Sequence, residues 1–158
     1  MSRLTLLATA MTMLVALTSQ ARAQSGAAAP ATYDAKLAES VGADDYGMRN
    51  YVLVILKTGP TKVPAGAERD EMFKGHMANI KRLADEGKLA LAGPFAGEES
   101  WRGLFVLAVS DIEDARKLVA TDPVVVKGEM VAEYHKFYGS AALMLVPAAS
   151  EKVARKRF

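Results

Sequence analysis

Two stretches of this chain are apolar on both faces of a strand, and each is followed by a helix and a second strand. Asn50 to Leu56 (NYVLVIL) is an almost unbroken aliphatic run, and Gly103 to Val109 (GLFVLAV) repeats it. Such runs read as strands because β-branched and aliphatic side chains fit a pleated surface. Neither face of these strands is left polar for water, so both faces need a cover. In a monomer with one solvated sheet face, alternate positions of these strands would be polar.

The segments between complete the pattern. Lys57 to Ala67 holds Gly59-Pro60, Pro64 and Gly66 and reads as a loop. From Glu68 to Glu86, Met72, Phe73, Met77, Ile80, Leu83 and Ala84 recur at the spacing of an amphipathic helix. Glu68, Asp70 and Glu71 suit its N-terminal end, and Gly87 is placed to close it. Lys88 to Gly93 alternates as a strand, Pro94 stops it, and Phe95 to Arg102 is a polar hairpin connection. Ser110-Asp111-Ile112-Glu113 predicts a capping box with Ser110 as N-cap, opening a helix through about Ala120. Asp122-Pro123 opens a short turn closed by Gly128, and Glu129 to Tyr138 is the last strand.

The order βαββαβ predicts an α+β, ferredoxin-like fold, a four-stranded antiparallel sheet with both helices on one face. Helices cover only that face. Tyr51, Leu53 and Ile55 are nevertheless as apolar as Val52, Val54 and Leu56, and the third strand shows the same doubling. A second sheet is the simplest cover, which predicts a homodimer packed through the sheet face as a dimeric α+β barrel.

The ends of the chain have a different character. Met1-Ser2-Arg3, an uncharged run from Leu4 to Leu17 and Ala21-Arg22-Ala23 reproduce the three regions of a secretory signal peptide. The apolar run has about 14 residues, short of the roughly 20 that a membrane span requires. Residues 1–23 are therefore expected to be removed on export, giving a periplasmic or secreted product with no stable membrane association. Residues 24–47 read as a flexible leader, with one possible helical turn after Tyr33. The domain spans 48–140, and 141–158 is a basic C-terminal extension. The net charge of +2 belongs to the precursor, because Arg3 and Arg22 leave with the signal segment and the remainder is formally neutral. Neutrality argues against nucleic acid as a partner. The absence of cysteine excludes disulfides, thiolate metal sites and a cysteine nucleophile.

No phosphate-binding loop, dinucleotide fingerprint, HExxH or GxSxG motif is present, so neither a cofactor nor a metal site is expected. His76 stands three residues after Phe73 and four before Ile80, which puts it on the apolar stripe of its helix. A histidine there is either a satisfied core residue or a base whose tautomer a carboxylate sets. Gly75 beside it weakens the helix by roughly 1 kcal/mol relative to alanine and suggests a close approach. Asp122 is the candidate carboxylate, although plain helix capping also accounts for it. Alternation puts His135 on one face with Glu133 and Phe137, where it either lines a cavity or is exposed. Trp101 in the hairpin connection either lids a pocket or packs across a dimer.

From about Tyr51 to Tyr138 the chain resembles the YciI-like (YCII-related) family of small dimeric α+β proteins. The resemblance rests on H-x-x-x-I-x-x-L-x-x-x-G from His76 through Ile80 and Leu83 to Gly87, then Gly93-Pro94, Ala115-Arg116, Asp122-Pro123 and Gly128. It implies a ferredoxin-like dimer with an active site built from His76 and Asp122. Phe73, Pro94, Trp101 and His135 are the candidate substrate contacts. Some relatives are dehydrochlorinases or resemble muconolactone isomerases, acting on small ring-derived molecules by proton transfer. The expectation is a cofactor-independent lyase or isomerase acting on a small-molecule ligand; the alternative is a periplasmic module that binds such a ligand without catalysis. The signal segment, the leader and the extension beyond Tyr138 depart from the family pattern.

Overall fold

A computed structural model describes residues 32–97 and 100–156. The expected signal segment, 1–23, and the first residues of the leader lie outside the described residues. Among the described residues no helix is long and apolar enough to cross a membrane.

The first apolar run forms β1 (Met48–Thr58), and the amphipathic segment forms α2 (Ala67–Asp85), after a short α1 (Ala35–Ser40). The hairpin is β2 (Leu89–Pro94) and β3 (Trp101–Leu107); α3 (Ile112–Val119), α4 (Pro123–Val126) and β4 (Met130–Ser140) follow. The strands form one antiparallel sheet in the order β2-β3-β1-β4, the ferredoxin-like arrangement expected from βαββαβ. β1 and β3 occupy its centre, which is why they are the two doubly apolar runs.

The main core lies between sheet and helices. Val52, Val54, Leu56, Phe105 and Leu107 from the sheet meet Met72, Leu83, Ala115, Val119 and Val124 from the helices. Burying a side chain of this size contributes roughly 1.5–3 kcal/mol, so this layer dominates the stability of the domain. Gly59 joins the end of β1 to the entry of β4. Its N–H donates to the Glu129 carbonyl at 2.9 Å, and a Cβ there would stand 2.1 Å from the Gly128 carbonyl oxygen. Only glycine lets the two backbones approach so closely.

Two expectations are corrected. The N-cap of α3 is Asp111, not Ser110, with its carboxylate accepting the Glu113 N–H at 2.7 Å. A carboxylate caps as well as a hydroxyl and adds a charge that the helix N-terminus favours. Residues 34–47 of the expected flexible leader are folded. Asp34 caps α1, Val41 is buried, and Arg49 donates to the Val41 carbonyl at 2.8 Å. Asp44 accepts the N–H groups of Tyr46 and Met48 and the hydroxyl of Tyr138, which ties the segment to β4.

The sheet face opposite the helices is the one for which a second sheet was the expected cover. Its cover is partly intramolecular: a 3₁₀ turn (Ala141–Leu145) and α5 (Val146–Val153) follow β4. Leu143 and Met144 pack on Tyr51, Ala90 and Val106 of that face. The extension thus does part of the work assigned to a second sheet. Leu91, Trp101, Val131 and Phe137 remain exposed.

Candidate active site

His76 and Asp122 meet where α2 runs past the start of α4. The helical spacing of Phe73, His76 and Ile80 turns His76 toward the sheet, and the N-cap geometry of Asp122 turns its carboxylate back toward α2. The His76 Nδ1 lies 2.9 Å from Oδ1 and 2.8 Å from Oδ2 of Asp122. Asp122 is wholly buried, while the His76 side chain is 12% exposed. Asp122 Oδ1 also accepts the Val124 N–H at 3.1 Å, so one carboxylate both caps α4 and holds the imidazole. Capping and orienting are not alternatives here.

Gly75 explains the close approach. A Cβ on it would stand 2.9 Å from the Pro123 Cγ. Glycine therefore lets α4 come near enough to α2 for the carboxylate to reach the ring, at a cost in helix propensity.

Every neighbour of the Asp122 carboxylate is a donor or can be one. Asn79 donates from Nδ2 to Oδ2 at 3.2 Å, beside the Val124 N–H and the His76 ring nitrogen. An ionised carboxylate only accepts, so Nδ1 of His76 carries a proton, and in the neutral ring the lone pair is on Nε2. The ring sits between aromatic neighbours: Phe105 tilted at 6.0 Å and Phe73 edge-on at 6.2 Å.

Arg69 lies one helical turn before Phe73, and its guanidinium stands 5.0 Å from the Phe73 ring centroid. The same group forms a 2.6 Å ion pair with Glu129 Oε1. Glu129 is buried, and its Oε2 accepts the Val63 N–H at 2.7 Å. Burial pushes its carboxyl up; the Val63 N–H, the Arg69 bond and charge, and Arg102 outweigh this and leave it below the ordinary value of 4.5. Arg69, Arg102, Lys62 and Glu129 line a cleft of about 290 Å³. A second cleft of about 420 Å³ runs along β4, lined by Lys57, Arg116, Glu133 and Tyr134. Neither cleft includes His76.

The expected substrate contacts separate. Phe73 touches His76. Pro94 is at the exposed end of β2, paired with Gly103. Trp101 opens β3, 44% exposed, with its ring 5.3 Å from Phe95. His135 lies opposite Leu53 on the sheet face away from the helices, exposed, with Nε2 2.8 Å from Glu133 Oε1. Within one chain the sheet therefore stands between His135 and His76. Asn79, Arg69 and Glu129 were not among the expected residues. Asn79 stands three positions after His76 in a helix, a spacing that puts both on one face and is the signal that finds it.

In comparisons with known proteins, the model of the YCII-related domain matches residues 50–137. No curated protein matches the chain.

Proposed function

The chain belongs to the family of YCII-related domains, and from that premise we propose a small-molecule enzyme of the lyase or isomerase type with His76 as general acid/base. The observation that carries this reading is the grip of Asp122 on His76 Nδ1 at 2.8 and 2.9 Å. With Nδ1–H committed to the carboxylate, Nε2 is the free basic nitrogen of a fixed tautomer.

Nε2 takes a proton from a carbon or hydroxyl of a small cyclic substrate, and the imidazolium so formed is stabilised by the buried carboxylate. The electron pair left on the substrate then either expels a leaving group or shifts within the ring. In the first case the imidazolium gives its proton to the departing group or to water; in the second it returns the proton to a different atom of the substrate. Phe73 and Phe105 keep the ring's surroundings apolar, which strengthens the His76–Asp122 interaction. Arg69, stacked on Phe73 and tied to Glu129, holds the Phe73 ring beside His76.

This reading is completed by a homodimer through the open part of the sheet face and by a periplasmic or secreted location. Leu91, Trp101 and Phe137, exposed in one chain, are the surface such a dimer would bury. Light scattering at micromolar concentration is expected to give twice the chain mass; a monomer would refute the pairing. For the chemistry, small cyclic hydroxy- and oxo-compounds are incubated with the protein in D2O and followed by mass spectrometry. Deuterium uptake or loss of a leaving group is the expected result. A ligand bound and recovered unchanged would favour a binding module instead.

A further inference from the structure

Asn79 sits between the buried carboxylate of Asp122 and the surface cation Arg82. Its Nδ2 donates to Asp122 Oδ2 at 3.2 Å, and its Oδ1 accepts from Arg82 Nη2 at 2.7 Å. The Thr121 hydroxyl stands 3.1 Å from the same oxygen. The amide has only one orientation that satisfies both ends, because a guanidinium cannot accept and a carboxylate cannot donate. Asn79 is buried, so neither end is left to water. A reversed amide would set donor against donor at Arg82 and acceptor against acceptor at Asp122.

We propose that Asn79 is a positioning residue for the His76–Asp122 pair, holding the carboxylate in the rotamer that fixes the imidazole tautomer. The proposal rests on the reading of His76 as the acid/base. Asn79 has a second effect: it is a neutral spacer. Arg82 is bound through the amide and makes its own ion pair with Glu86 at 2.8 Å. Were the guanidinium to reach Asp122 directly, a bidentate pair would compete with the imidazole for the same two oxygens. With the amide between them, the carboxylate faces His76, Asn79 and the Val124 N–H.

The test uses the full chain labelled with 15N-histidine and long-range proton–nitrogen correlation of the His76 ring, which needs no substrate. In the unaltered protein the Nδ1–H tautomer is expected alone. In Asn79→Leu, which keeps bulk but has no donor, a mixture of both tautomers is expected, and kcat falls roughly 10- to 100-fold with little change in KM. Thr121→Ala, which leaves the Asn79 amide in place, should keep the single tautomer. If Asn79→Leu does not fold, Asn79→Ala provides the readout, since it also removes the Nδ2 donor to Asp122 and introduces no bulk. A folded Asn79→Leu or Asn79→Ala protein with an unchanged single Nδ1–H tautomer would overturn the role of Asn79. An Nε2–H tautomer in the unaltered protein would instead overturn the reading of His76, and the proposal with it.

Discussion

Changing Asp122 to asparagine is expected to lower turnover by roughly 10³-fold or more while the domain stays folded. Asparagine caps a helix about as well as aspartate, so its Oδ1 keeps the Val124 N–H. The other end of the side chain becomes an NH2. It meets two former partners that were donors, His76 Nδ1 and Asn79 Nδ2. His76 must then turn Nδ1 into an acceptor, the proton moves to Nε2, and the free nitrogen is no longer a base. The donor opposed to the Asn79 amide costs about 1 kcal/mol of stability. A purely structural role for Asp122 gives the reverse result, a loss of stability with turnover kept. Kinetics and urea unfolding on the same preparation separate the two.

Glu129→Leu is expected to destabilise the domain by about 3 kcal/mol at neutral pH, the lower end of the range for removing one partner of a buried ion pair. The change leaves Arg69 without its counterion and the Val63 N–H without its acceptor. Because the folded glutamate titrates below its ordinary value of 4.5, the stability it contributes is complete above that value. It is lost as pH falls through the lower, folded value. The unaltered protein should therefore lose stability on acidification more steeply than Glu129→Leu. Urea midpoints at pH 7 and near pH 4, at fixed protein concentration, measure both effects. Equal acid slopes would show that this carboxylate is not held as described.

The parts of the fold that depend on local pattern were legible, and those that depend on what lies opposite were not. The apolar runs in β1 and β3 and the three-and-four spacing in α2 specify strands and helix before any tertiary contact is considered. Ser110 and Asp111 both make good caps, so only the path of the chain into α3 decides between them. Leu143 and Met144 sit in an apolar run that reads as a tail; the face made by Tyr51, Ala90 and Val106 is where they dock. No local pattern carries that information.

The site divides in the same way. His76 on an apolar stripe and Asp122 before a proline are unusual enough in sequence to be singled out. Glu129 looks like the first residue of an edge strand, and it is buried only because Gly59 and Gly128 bring the end of β1 against it. Alternation correctly groups His135 with Glu133, yet alternation cannot say which of two faces carries the helices. The sheet pairing Leu53↔His135 decides that.

The most direct test is turnover of His76→Ala beside the unaltered protein, on any compound that exchanges deuterium or loses a leaving group. Removal of the ring leaves the Asp122 carboxylate with the Val124 N–H and the Asn79 amide as donors, so the variant is expected to lose some stability but to keep its fold and oligomeric state. Turnover should fall by at least roughly 10²-fold, the contribution of a positioned acid/base. Undiminished turnover in a folded His76→Ala protein would contradict the central claim.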